Sequence, residues 1–325
     1  MVQPSAPIQR RDTLKAIIGA AALASTAGCA DLIPQGLGLA LTPSPLTDPS
    51  VYNFALNLEY LEAEYYLRGL TGQGLADEHI GPNPGSVAGG RRVPFQTGYL
   101  REMIAEIAND EVNHVRFLRQ TISSSPLVEI SRPALDFQSS FRAVGQAAGL
   151  GADFDPFADE ASFLLGAFLF EDVGVTAYAG GGDLIAGPRS IEAAAGILAV
   201  EGYHGGMIRT QIAEMGPQMI RAADGISRAR EAVESPNNRK QRPGVQGSLR
   251  KEQPISQGDV FPGEIVIAPT DPQGRSFPRP PQDVLNIVFL DPSEDANRGG
   301  FFPDGVQGVV RHALHRQTSH GGRRA

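Results

Sequence analysis

The sequence predicts an all-α protein: a four-helix bundle with a long crossover between its second and third helices, then an irregular Pro/Gly-rich C-terminal region. Three observations lead there. Four stretches have apolar residues at helical spacing, separated by Gly- and Pro-rich breaks. Two of them carry a Glu-x-x-His pair, Glu111 with His114 and Glu201 with His204, and each follows a helical stretch bearing its own Glu, Glu59 or Glu171. The second pair of stretches also repeats the first, with Glu59 and Tyr66 matching Glu171 and Tyr178, and Glu111 and His114 matching Glu201 and His204.

The first helix is expected to start near Asp48-Pro49, because Asp caps helices and Pro fits the first turn. It runs through Phe54, Leu58, Leu61 and Tyr65 and stops at Gly69. Gly69 to Pro94 reads as a loop. The second helix runs from near Thr97 to about Ile122, with Leu100, Ile104, Ile107, Val115 and Leu118 as its apolar stripe. The connection from Ser123 to Phe154, with one short helix around Phe137–Ala148, is long enough for a crossover. The third helix starts at Asp155-Pro156 and stops at Gly180-Gly181-Gly182. The fourth starts near Ser190, runs to about Ala223 and is kinked or broken at Gly216-Pro217. The third and fourth are close in sequence and should form an antiparallel hairpin. The expected division is a targeting segment at 1–28, a bundle at 48–223 and an extension at 224–325. The extension has only short apolar runs, Glu264–Ala268 and Val284–Leu290, which suit a wrap around the bundle, a small strand pair or an assembly surface.

The repeat selects site residues. Glu59 and Tyr66 stand nearly two turns apart, as do Glu171 and Tyr178, so each pair shares a helix face. Ile107 aligns with Ile197 and Arg119 with Arg209. Glu59, Glu62 and Glu64 are all candidates by composition, but Glu62 aligns with Gly174 and Glu64 with Thr176. Only Glu59 has a carboxylate counterpart, which leaves Glu62 beside the site or at its entrance.

Residues three apart on a helix are separated by about 60° around its axis, so each Glu-x-x-His pair can face one point. Any one of these residues alone reads as a solvated Glu or a satisfied helical His. The ordered set Glu59, Glu111, His114, Glu171, Glu201 and His204 has the pattern of a carboxylate-bridged two-metal site in a four-helix bundle. Carboxylate and imidazole donors suit iron or manganese, and two Fe or two Mn ions balance four carboxylates. Tyr66 and Tyr178 are the candidate catalytic residues, as donors to a bridging Glu or as an electron source; packing with the hydroxyl at a helix end is the equal alternative. Asp110 and Asp172, each next to a ligand Glu, are candidates to orient a His.

Composition narrows the alternatives. The 325-residue chain carries net charge −8, which argues against nucleic acid as a partner. Trp is absent, so the core is aliphatic with Phe. Cys29 is the only cysteine, which excludes an intramolecular disulfide, thiolate zinc sites and thiol catalysis in the bundle. The Gly180-Gly181-Gly182 run lacks the Lys-Ser or Lys-Thr of a phosphate loop. His312, His315 and His320 read as a solvated tail rather than a metal site.

Arg10-Arg11, followed by Asp12-Thr13-Leu14-Lys15 and the apolar run Ala16–Ala27, resembles a twin-arginine export signal, with Thr13 where a bulky apolar residue is commoner. The run is too short to span a bilayer as a stable helix. Thr26-Ala27-Gly28-Cys29 resembles a lipoprotein processing site without its usual Leu. Two outcomes stay open: a lipidated Cys29 that anchors the protein to a membrane, or cleavage after Ala30 that discards it. Both place the protein outside the cytoplasm, in the periplasm or cell envelope. Export of a folded chain would let metal be loaded first. Self-association into a homo-oligomer is left open.

The stretch Leu56-Asn57-Leu58-Glu59-Tyr60-Leu61-Glu62-Ala63-Glu64-Tyr65-Tyr66 resembles the first helix of ferritin-like proteins, especially the desiccation-related or stress-responsive group. Glu106-Ile107-Ala108-Asn109-Asp110-Glu111-Val112-Asn113-His114-Val115, Arg132-Pro133-Ala134, Val284-Leu285-Asn286-Ile287-Val288 and Gly300-Phe301-Phe302-Pro303 extend the likeness over roughly 48–310. The resemblance implies a ferritin-like bundle with the six residues above as metal ligands. It leaves the reaction open between two classes. One is an exported di-iron or di-manganese oxidoreductase acting on oxygen or peroxide. The other is a non-catalytic stress protein that sequesters metal or protects surfaces. A closed storage cage suits the long tail and export signal less well.

Overall fold

The computed structural model of the chain describes residues 47–124, 129–234, 254–256, 265–271 and 273–310. Arg10, Arg11, Cys29, His312, His315 and His320 lie outside the described residues. Among the described residues the regular elements are helices apart from one short parallel pair, β1 (Val87–Ala88) on β2 (Leu135–Asp136), which ties the first loop to the crossover. Two antiparallel hairpins form the bundle: α1 (Asp48–Thr71) with α2 (Gly98–Ser123), and α4 (Glu160–Gly181) with α5 (Pro188–Glu214). The crossover contains α3 (Gln138–Ala148), as expected. Gly216, at φ 93°, breaks the last helix at the expected place, and α6 (Pro217–Val233) continues beyond residue 223 and packs on α3. The run at Val284–Leu290 becomes a helix, α7 (Pro281–Phe289), against α4 and α6; no strand pair forms there among the described residues.

Two predicted ends move, both for tertiary reasons. α1 passes through Gly69 and ends at Gly72, whose left-handed φ of 84° lets its N–H reach the Arg68 carbonyl at 2.8 Å. Gly69 is a packing residue instead: the Phe163 ring occupies the space its Cβ would take. Asp155-Pro156 does not start α4. Asp155 closes a turn by accepting from the Phe157 N–H at 2.9 Å, and Asp159 is the cap, accepting from the Ser162 N–H at 2.7 Å.

The sequence repeat extends to how the hairpins are joined. Asp48 lies in the first turn of α1, and its carboxylate accepts from the N–H groups of Ala186 and Gly187 at 2.9 Å, at the start of α5. Its repeat counterpart Glu160 accepts from Gln96 and Thr97 at 2.8 and 3.0 Å, at the start of α2. Each hairpin therefore satisfies free N-terminal amides of the other, where a negative charge also favours the helix dipole. The interior end is filled by aromatic rings, with Tyr65 stacked on Phe163 and surrounded by Phe137, Phe141, Phe157 and Phe170. α4 is long and apolar enough by composition to cross a membrane, but most of it is buried in the bundle, as an all-round apolar core helix must be.

Candidate metal centre

The six predicted residues converge between the hairpins, and all are buried. Glu111 sits at the middle. Its Oε2 lies 3.3 Å from His114 Nδ1, and its Oε1 lies 3.0 Å from His204 Nδ1. His114 Nδ1 is also 3.1 Å from Glu59 Oε2 and 3.7 Å from Glu201 Oε1. His204 Nδ1 is 3.4 Å from Glu171 Oε2. The donors form two groups that share Glu111: Glu59, Glu111, His114 and Glu201, and Glu111, Glu171 and His204. The two imidazole centres are 6.3 Å apart.

The tyrosines bind across the hairpins rather than along their own helices. Tyr66 donates to Glu171 and Tyr178 donates to Glu59. This exchange is what a twofold relation between α1 and α4 produces. Of the two acidic neighbours, Asp110 lies 3.3 Å from His204 Nε2 and is placed to orient that ring. Asp172 does not serve a His. It is gripped by Arg209 (2.9 and 2.7 Å) and by Arg230 (2.7 Å), with both guanidinium groups over the Phe168 ring.

The donor set fits a cation. Glu111 Oε1, Glu171 Oε2, both Glu201 oxygens and His204 Nδ1 are buried without a hydrogen-bond partner. Glu111 Oε1 and His204 Nδ1 lie 3.0 Å apart yet are not aligned as a hydrogen bond. Buried acceptors with no donor are costly and rare. Cations held by the two donor groups would satisfy them.

Without metal, protons take its place. Burial raises the Glu59 carboxyl to about 7, against the pull of His114. Burial also raises Glu171, and raises Glu201 and Glu62 well above the usual range, reinforced for the last two by the surrounding carboxylates. Glu111 is the exception: burial would raise it, but His114 and His204 together hold it well below the usual range. Burial opposes a charge on either His, yet Glu59 and Glu111 push His114 up to about 11, and Glu171 and Glu111 push His204 up to about 12. Arg209 and Arg230 outweigh burial at Asp172 and hold it at about 2.

The sequence matches the ferritin-like domain family over residues 47–214, which is more than half the chain. The chain belongs to that family. It is 34% identical over 179 residues to the desiccation-related protein PCC13-62 of Craterostigma plantagineum, covering 52% of this chain and 54% of that protein. It is 28% identical over 280 residues to the ferritin-like catalase Nec2 of Nesocodon mauritianus, covering 81% of this chain and 84% of that protein. The chain thus spans about half the length of the first relative and most of the second. No solved structure matches it significantly.

Three features of the ferritin-like centre escape sequence reading. Arg230 reaches Asp172 from beyond the Gly216 break, and nothing local marks it. Glu64, set aside by the repeat, forms a separate buried cluster with Arg68 at 2.8 Å and Arg132 at 2.5 Å. Gly174 leaves room for Glu62 and Glu201, which only the packing reveals; the signal available was that Glu62 aligns with a glycine.

Proposed function

We propose that the bundle holds two iron or manganese ions on Glu59, Glu111, His114, Glu171, Glu201 and His204, and that the loaded protein is an oxidoreductase handling oxygen or hydrogen peroxide. The observation that carries this is the cluster of buried side-chain atoms without a hydrogen-bond partner on four of the predicted ligands, Glu111, Glu171, Glu201 and His204. Two donor groups sharing Glu111 support two ions rather than one. The likeness to a protein named as a ferritin-like catalase supports peroxide as a substrate.

Held by these residues, such a pair would supply the two-electron redox change that peroxide dismutation needs. The remaining work falls to the chain. Tyr66 and Tyr178 hold Glu171 and Glu59 in place by donating to them. Asp110 fixes the His204 ring from its far side. Leu58, Ile104, Ile107, Phe170 and Val173 exclude bulk water around it.

Anaerobic loading followed by elemental analysis should give about two equivalents per chain. Stopped-flow mixing with peroxide should show turnover well above that of free metal, slowed in both His114→Ala and His204→Ala. Turnover no faster than free metal would overturn the oxidoreductase reading. The similarity to a desiccation-related protein supports a second reading, a non-catalytic stress protein. That reading forecasts metal binding without turnover, with protection during drying that survives His114→Ala.

The proposal includes export through the Arg10-Arg11 segment to the periplasm or envelope. Replacing both arginines with Lys should trap the precursor inside the cell, and unchanged export would overturn the assignment. Release of a membrane-bound form by Cys29→Ala would identify a lipid anchor.

A further inference from the structure

Glu62 is the carboxylate at the centre that the repeat does not duplicate. It lies one turn beyond Glu59 on α1, is 4% exposed, and among the described residues no hydrogen-bond donor reaches its carboxylate. Its counterpart on α4 is Gly174. A Cβ at 174 would collide with Glu201 Oε2 and lie 3.3 Å from Glu62 Oε1, so these two oxygens share the space the glycine leaves. Behind Glu62 is an apolar wall of Leu58, Leu61, Phe170, Val173, Ile287 and Phe301. A lone carboxylate is costly against such a wall unless a cation faces it.

The two donor groups are unequal. The His114 group has four members and the His204 group three. Glu62 Oε1 and Glu201 Oε2 both border the space at Gly174, which places Glu62 next to a member of the four-donor group. We propose that Glu62 is a further protein ligand, adding its carboxylate beside Glu201 Oε2 to the donors at that position. This rests on the dinuclear reading above. It makes the two ions inequivalent, and it adds a fifth carboxylate, whose charge favours a more highly charged, oxidised pair.

The test is anaerobic titration of the metal-free protein with Mn(II), followed by calorimetry and by electron paramagnetic resonance of the spin-coupled pair. Glu62→Gln keeps the side-chain shape and removes a buried like charge, so it should fold; Glu62→Asp retracts the carboxylate by one methylene as a second variant. Both should keep one ion at wild-type affinity, weaken the other roughly tenfold to a hundredfold, the range set by losing a metal-supporting group, and lose the coupled signal at low Mn(II). The oxidised form of Glu62→Gln should also be easier to reduce than wild type. Retention of one ion shows that the variant is folded. Two ions bound as in wild type with an unchanged coupled signal would overturn the proposal. So would loss of both ions from both variants with native helical content, because Glu62 would then support the whole cluster rather than one position. Failure of the wild-type protein to bind an ion pair would instead overturn the dinuclear reading.

Discussion

Loading the metal-free centre should release protons, and the site sets their number. At pH 8 both imidazoles are charged, since His114 is pushed up to about 11 and His204 up to about 12 by the carboxylates packed on them. Glu59, raised to about 7 mainly by burial, is by then largely ionised. A His ligand must be neutral, so two ions displace at least the two imidazole protons, and Glu62, Glu171 and Glu201 add to that number. Two protons for two ions means that the affinity of each ion rises about tenfold per pH unit. Calorimetric titration in two buffers of different ionisation enthalpy counts the protons directly. Fewer than one proton per ion pair would refute the imidazolium–carboxylate pairing on which this reasoning depends.

The same groups set the stability of the metal-free protein. Their folded values lie above the unfolded ones, so the native state binds more protons and its stability falls as pH rises. The contribution of His114 is complete below about 6.5 and is lost as pH climbs through about 11; that of Glu59 is lost between 4.5 and about 7. The melting temperature of metal-free protein should therefore decline from pH 7 to 10. The loaded protein, whose imidazoles are already neutral, should not follow it.

Asp172→Ala should cost about 3–5 kcal/mol, because it leaves two buried guanidinium groups without their carboxylate. For a domain of this size that lowers the melting temperature by roughly 6–20 °C, and a loss under about 1 kcal/mol would show the pair to be solvated. Tyr178→Phe keeps the ring but removes the donor to Glu59, and should weaken the His114-side ion about tenfold; unchanged metal affinity would show that Glu59 holds its place unaided. Gly180→Ala should destabilise by about 1–3 kcal/mol, since its Cβ would meet the Arg279 backbone where the C-terminal segment crosses α4. Denaturant unfolding would measure this, and a neutral result would mean the segment is loosely seated.

The helices were legible because apolar period, Gly/Pro breaks and the recurring polar residues agreed with one another. The misplaced ends come from residues with a second partner. Gly69 satisfies the local rule for a stop, but the Phe163 ring, distant in sequence, is its reason for being there. Asp155-Pro156 satisfies the rule for a start, but Asp159 caps the helix and Glu160 reaches back to Gln96 and Thr97. The six-residue cluster was legible because its motifs are local and its order is rare. Asp172 was not, since adjacency to Glu171 says nothing about an Arg at 230. Glu62 was set aside because the repeat offered no counterpart, although a missing counterpart is how one half of a duplicated site comes to differ from the other.

These departures from the repeat fall on one side of the centre. Asp110 supports His204 from behind, whereas its counterpart Val200 offers His114 no acceptor. Arg209 grips Asp172 next to Glu171, whereas Arg119 meets Tyr60, the counterpart of Asp172, at 2.6 Å on its hydroxyl. His204 is more deeply enclosed, at 1% side-chain exposure against 10% for His114. The paired features, Asp48 with Glu160 and Tyr66 with Tyr178, set the bundle's symmetry and hold both halves of the ligand set. The unpaired ones stiffen the His204 position, while the His114 position lies nearer to solvent. If the centre holds two ions as proposed, the His204 position is the one built to hold its ion and the His114 position the one a small molecule from outside would meet first, a division of labour that a strictly symmetric pair could not provide.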